Sequence, residues 1–251
     1  MKSVLNKTVL VFALLLALSW SSCEEFVDFV DEALTETEVI EGLKSALSIG
    51  TDTSVATVSQ LDGYYKDALI KILLPPEADI IQQYLTMVPG MDQLWEETVM
   101  RVNRSAEDAA LEAKPIFIDA ITNMTIADGW GILNGGDTAA TEYLIANTYT
   151  GLAGLFQPKI KNSLDKDLVG GISSNESWDA LTSNYNDLVV NTLVGQLAGL
   201  EEINTVLDGY VTEKALDGLF LKVADEEKAI RTDPLARVND LLDKVFSSLD
   251  E

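Results

Sequence analysis

The sequence predicts an all-α protein, a multi-helix, bundle-like single domain after an N-terminal signal. Two observations carry this expectation. Apolar residues recur at three- and four-residue steps along most of the chain. Capping residues and Pro or Gly breaks punctuate these runs at helix-length intervals. A chain of 251 residues with 47% hydrophobic content is long enough to bury one core, or two at most, and it carries no fixed-period repeat or low-complexity tract.

Lys2 and Lys7 open the chain, Val9 to Leu18 is an apolar run, and the small residues Ser21 and Ser22 precede Cys23. This is the layout of an export signal, and the run is too short for a comfortable membrane span. Cys23 is the only cysteine. Its place directly behind the apolar run resembles a bacterial lipoprotein signal, in which the cysteine is acylated and becomes the first residue. Such signals usually carry Leu three residues earlier, where this chain has Trp20. Cleavage after Ser19, giving a form secreted to the periplasm, is the alternative. The expected organisation is a lipoprotein-type signal peptide over 1–22, a short tether or docked helix over 23–34, and an all-α domain over 35–251. Phe26, Phe29, Val30 and Ala33 set the helical spacing of the second part.

Thr35-Glu36-Thr37-Glu38 has the form of a capping box, and Val39, Leu43, Ala46 and Leu47 follow as an apolar stripe that Gly50 could stop. Ser54 to Leu61 is ambiguous between helix and strand, because Val55, Thr57 and Val58 suit either. Asp62-Gly63 marks a turn, Pro75-Pro76 restarts a helix, and Pro89-Gly90 breaks it. Met91 to Ala113 has the strongest periodicity, with Pro115 to Ile121 as a short continuation. Thr125 to Asp128 reads as a looser capping box before a short helix to Leu133. Asn134-Gly135-Gly136-Asp137 joins a helix stop to a helix start. Thr138 to about Lys166 is expected to be long, with a kink or break at Pro158. Gly170 to Ser177 is the candidate hinge, and Trp178 to Leu200 is helical around a Gly195-x-x-x-Gly199 pair. Thr212 opens the next helix, with Ala215, Leu216, Leu219, Phe220 and Val223 inward, Asp233-Pro234 caps another start, and the last helix carries Val238, Leu241, Leu242, Val245 and Leu249.

Composition excludes whole classes of function. Seventeen basic residues against 41 acidic ones leave a formal charge of -24, which repels phosphate backbones, so no nucleic-acid partner is expected. The chain has no histidine, which removes histidine triads, histidine-ligated zinc and the Glu-x-x-His di-iron pattern. A single cysteine allows no internal disulfide and no four-cysteine metal site. No cofactor and no metal are expected. Loss of residues 1–22 would delete two lysines and no acid. The remaining domain is not drawn to an anionic leaflet by charge, so acyl chains would have to hold it at a membrane.

Several local patterns could carry chemistry. Successive amides at Gly135-Gly136-Asp137-Thr138, entering a helix, could cradle an anion. Asp137 would compete for them, and a glycine stop joined to an Asp or Thr cap is the simpler reading. Asp137 with Glu142 lacks the ligand spacing of an EF-hand. Asn103-Arg104-x-x-Glu107 and Glu112-x-Lys114 lie on a helix whose other face is apolar. Arg104 and Glu107 form either a local surface pair or a buried cluster turned toward a carboxylate ligand. Glu227 and Arg231 read as a surface pair. The residues offered for a ligand or polar pocket are Asn103, Arg104, Glu107, Lys114, Asp119, Asn134, Asp137 and Thr138. Ser163-x-x-Lys166 has the spacing of some acyl-transfer nucleophiles, without the companion motifs. Acid pairs carry no weight in a chain this rich in acids. Trp95, Trp130 and Trp178 are expected in the core.

Three blocks resemble a known family. They are SIGTDTSVATVSQLDGYY from Ser48 to Tyr65, AKPIFIDAITNMTIADGWGILNGGDTAATEYL from Ala113 to Leu144, and YVTEKALDGLFLKVADEEKAIRTDPLARVNDLLDKVF from Tyr210 to Phe246. They are similar to the uncharacterised bacterial domain-of-unknown-function family 4197 over roughly Glu36 to the C-terminus, least well over Asp167 to Asp208. The resemblance implies a helical, exported protein, often with a lipoprotein-like start. It brings no activity and assigns no catalytic residue. Acidic residues directly behind Cys23 also resemble surface-export signals of some bacterial lipoproteins.

The functional expectation is an envelope lipoprotein of unknown biochemical activity. It is held through Cys23 at the periplasmic leaflet or cell surface and acts as a binding or scaffold module for a protein partner or a small apolar ligand. A carboxylate- or Ser/Lys-based hydrolase of the envelope is the alternative.

Overall fold

Helix α1 (Glu36–Val58) begins at the expected capping box: the Glu38 amide donates to the Thr35 hydroxyl and the Thr35 amide donates to the Glu38 carboxylate. The structure, a computed structural model, describes residues 33–250, and the readings for residues 1–32, Cys23 included, lie outside them. The described residues from Leu34 onward form one compact unit with no strand among them.

Gly50 does not end α1. The buried stripe continues through Thr51, Ser54, Val55 and Val58, so Ser54 to Leu61 is helix and then turn, with no strand. A Cβ at Gly50 would stand 3.3 Å from the Glu226 Cβ, so the glycine serves close helix approach. Packing of the stripe outweighs its helix penalty of about 1 kcal/mol. The expected turn follows, with Asp62 in the left-handed region at φ 71. A Cβ at Gly63 would sit 2.5 Å from the Val58 carbonyl oxygen, so this turn requires glycine. Residues 71–75 then run as an irregular strap. A 3₁₀ turn (Pro76–Ala78) leads into the short α2 (Asp79–Gln82), with Pro76 at its start.

Helix α3 (Met91–Asn123) spans 33 residues, and the stretch after Pro115 is part of it. Pro115 is tolerated because it lies on the exposed side with Leu111, whose carbonyl loses its amide partner but faces water. Helix α4 (Gly129–Leu133) starts at Asp128, whose side chain accepts from the Gly131 amide, so Thr125 is not its cap. Helix α5 (Ala139–Leu164) runs unbroken through Pro158, one turn after the exposed Gly154.

Helix α6 (Ser174–Tyr185) starts with a second capping box, Ser173 with Glu176. The expected hinge therefore divides. Its first residues form a loop with Gly170 and Gly171 at positive φ, and its last residues are helix. Arg101 ties that loop down by donating to the carbonyls of Ile172 at 2.7 Å and Gly170 at 3.2 Å. A π turn (Asn186–Val190) and α7 (Leu193–Leu197) replace the single helix expected to Leu200. Gly199 ends that stretch at φ 68. Helix α8 (Leu207–Thr232) begins five residues before Thr212, with Leu207 and Val211 already buried. Asp233 caps a 3₁₀ turn (Pro234–Ala236), and α9 (Asp240–Phe246) follows an Asn239 cap. Val238, expected on the last helix, precedes α9 and is exposed.

Helices α1, α3, α5 and α8 pack as a ring in which each touches the next, with α6 against α3 and α9 against α1. Phe117 and Phe220 meet inside, ring centres 5.0 Å apart.

The α9–α1 contact carries a testable charge coupling. Lys244 donates to the Glu38 carboxylate, and with the Thr35 amide and hydroxyl it holds the Glu38 pKa down at about 2, from 4.5. A folded value below the unfolded one stabilises fully above about pH 4.5, and that contribution is lost as pH falls toward 2. Urea midpoints measured down this range are expected to fall less steeply for Glu38→Gln than for the wild type. Coincident slopes would remove Glu38 from the account.

Candidate functional site

Residues 62–72 are clamped onto α3 by three of the residues offered for a polar pocket. Glu107 accepts from the Tyr64 and Tyr65 amides, both at 3.1 Å, and from Arg104 at 2.6 Å. Arg104 also reaches Asp62. Asn103 pairs with Ile72 as a neighbouring strand would, accepting from its amide at 2.9 Å and donating to its carbonyl at 2.7 Å. It also donates to the Val99 carbonyl. Glu107 is 4% exposed, so the surface-pair reading of Arg104–Glu107 is corrected to a largely buried one. Lys66 and Arg104 beside Asp62 keep its carboxyl below the usual range. Burial works against the Arg104 charge, and the hydrogen bonds it donates to Asp62 and Glu107 outweigh it, so its pKa is raised. Burial, helped by Glu107, pushes the Tyr64 phenol up, and its hydroxyl donates to the Ala215 carbonyl at 2.8 Å. The cluster positions the strap.

The Gly135–Thr138 amides are not the ones that hold an anion; the first turn of α5, just beyond them, holds one, the protein's own Glu227. The Ala140 and Thr141 amides, at 2.9 and 2.7 Å, and the Thr141 hydroxyl donate to it at the start of α5. Arg231 donates to Glu227 at 2.8 Å and to the carbonyls of Leu133 and Ile132, at the end of α4. Glu227 is 0% and Arg231 5% exposed, so this is a buried clamp and not the surface pair expected. Asp137 pairs at the surface with Lys228 at 3.2 Å, and the Thr138 hydroxyl donates to Glu142 at 2.8 Å.

The Ser163-x-x-Lys166 spacing also resolves into structure. The Ser163 hydroxyl and the Lys166 ammonium donate to the same oxygen of Asp108. The lysine is engaged as a cation, and Ser163 is buried. Ser105 bonds Ser174, and Thr98 bonds Ser177, which lets α6 approach α3 closely.

The other proposed residues lie apart. Lys114 pairs with Asp52 at 3.0 Å, Asp119 accepts from Asn123, and Asn134 donates to the Trp130 carbonyl. So Asn103, Arg104 and Glu107 are brought together, and Asn134, Asp137 and Thr138 flank the α4–α5 junction. Lys114 and Asp119 stand on exposed α3. Trp95 and Trp178 are buried as expected, whereas Trp130 is exposed. Among the described residues, no three acidic side chains are grouped so as to hold a metal ion, and no helix is long and apolar enough to cross a membrane.

Three open concavities lie mostly along other segments, and one of them reaches Thr138. One, of about 450 Å³, lies between residues 69–73 and the α8 face of Tyr210, Lys214, Asp217, Gly218 and Leu221. A second, of about 370 Å³, shares Asp217 and Leu221, runs along Ile145, Tyr149, Phe220 and Ala224, and is bordered by Thr138 and Glu142. A third, of about 200 Å³, lies beside α7, where Leu193, Val194 and Leu197 are exposed. Of the residues offered for a pocket, Thr138 lines the second of these; sequence reasoning missed the rest of the three because each is assembled from segments far apart in the chain. It also missed the Ser173-x-x-Glu176 box, which is readable.

Fold and concavities together define an all-α domain, a four-helix ring with two flanking helices, grooved along α8. The chain belongs to the family described as "Protein of unknown function (DUF4197)", whose model matches residues 33–247 and spans all three blocks quoted above. No curated protein and no solved structure matches it.

Proposed function

We propose that this protein is an envelope lipoprotein, anchored through acylated Cys23, whose helical domain is a binding module. The observation that supports it is how the polar groups are used. Asn103, Glu107, Glu227, Arg231 and Ser163 spend their hydrogen bonds on backbone and neighbouring side chains, while the groove along α8 is left open, with mostly apolar walls and a few charged groups at Lys71, Lys214 and Asp217. A hydrolase needs a nucleophile or acid–base pair presented to a cleft.

The test uses protein from the membrane fraction of its own host. Intact mass is expected to show a diacylglyceryl-type increment in the wild type and none in Cys23→Ala, and native mass spectrometry to show a co-purifying ligand or subunit. A native chain recovered soluble in the cytosol with residues 1–22 uncut would overturn the address. Esterase, glycosidase or peptidase turnover lost in Ser163→Ala or Glu107→Gln would overturn the role.

A further inference from the structure

We propose that the groove between residues 69–73 and α8 binds one long-chain carboxylate, with its head at Lys71 and Lys214 and its tail along Leu221 into the adjoining concavity. This rests on the binding-module reading and names its ligand class. The first argument is charge. In a chain of formal charge -24, the lining of this groove carries two lysines and one acid, Asp217. Lys71 has its ammonium 4.3 Å from the Tyr65 ring centre, and Lys214 stands 5.9 Å from that of Tyr210. The Lys214–Asp217 contact is long, at 3.7 Å, and the other carboxylate oxygen of Asp217 accepts from the Tyr149 hydroxyl at 3.0 Å. One monoanionic head would neutralise the rim, and a dianion would overshoot. Glu77, Asp79 and Glu213 are near enough to add to burial in raising the Tyr210 pKa, but none lines the groove. The phenol stays neutral there.

The second argument is shape. Along the strap, Ile70, Ile72 and Leu74 are buried, while Leu69 and Leu73 are 76% and 61% exposed. Asn103 holds Ile72, so these two leucines are presented on a fixed segment. The concavity has the volume of an ordinary small-molecule site, and the adjoining one lengthens it past Leu221. A short acyl chain would fill only the first.

The test uses the full chain carrying Cys23→Ala, which removes its own acyl groups, with a fluorescent polyene fatty acid as probe and palmitate, methyl palmitate and octanoate as competitors. Palmitate is expected to displace the probe saturably at one site, and the ester and octanoate to be at least about tenfold weaker. Lys71→Gln/Lys214→Gln should weaken palmitate at least about tenfold with an unchanged thermal melt. Ala224→Trp, which fills the second concavity, should weaken palmitate and leave octanoate unchanged. No saturable displacement, an ester equal to the acid, or an unaffected lysine double variant would overturn the proposal. If palmitate fails while host-derived protein carries another ligand or a subunit, this inference falls and the binding-module reading stands. Turnover in the hydrolase screen counts against that reading and leaves the displacement result to be judged separately.

Discussion

Glu227→Gln is expected to destabilise the domain by roughly 3–5 kcal/mol, the cost of leaving a buried charge without its partner. For a domain of this size that corresponds to a melting temperature lower by on the order of 10 °C. Arg231 is buried and would keep its two carbonyl contacts but lose its carboxylate. The start of α5 would lose the negative charge that its amides and dipole favour. Arg231→Met should cost a similar amount, since Glu227 would then be the uncompensated charge. The double variant Glu227→Gln/Arg231→Met should cost clearly less than the sum, because the two groups act on one another. Scanning calorimetry of the four proteins checks this. Additive losses, or singles within 1 kcal/mol of wild type, would mean that the two helix ends are held by other contacts.

Asn103→Leu should cost roughly 2–5 kcal/mol by a different route. No charge changes, and the replacement has similar bulk. What is lost is the partner of the Ile72 amide and carbonyl, both of which turn inward to meet Asn103. Unmatched buried backbone groups carry their full desolvation cost. The strap should loosen before the bundle does. Amide exchange at Ile72 and proteolysis between Leu69 and Leu73 should rise under conditions where α3 stays protected. Palmitate displacement should weaken with them. An Asn103→Leu protein with wild-type exchange at Ile72 would show that the strap is held by Ile70, Ile72 and Leu74 packing alone.

The helices are legible in the sequence because apolar spacing and caps are local signals. Thr35 with Glu38, the cap at Asp233 and the periodicity after Met91 are readable within a few residues. Errors arise where distant contacts decide. Gly50 looks like a stop and Pro158 like a break, yet α8 packs against the first and both helices run on. Glu227 and Arg231 have the spacing of a surface pair, and only the arrival of the α4 and α5 ends makes them a core element. The candidate site is less legible still. Asn103, Arg104 and Glu107 do converge, but on a segment 31 to 43 residues upstream. The groove joins residues 69–73 to residues near 214, a separation that no spacing rule spans.

The seat of α9 on α1 has a topological consequence. Val245 fills the space that a side chain at Gly42 would occupy, and Lys244 meets Glu38. The helical unit from Leu34 onward thus finishes beside the start of its own first helix and is nearly a closed loop of helices. Splicing those ends with a few flexible residues and reopening the backbone at Gly170–Gly171 would reorder the gene while keeping each helix beside its present neighbours. Circular permutation at that loop is therefore a natural way to relocate the chain ends of this fold.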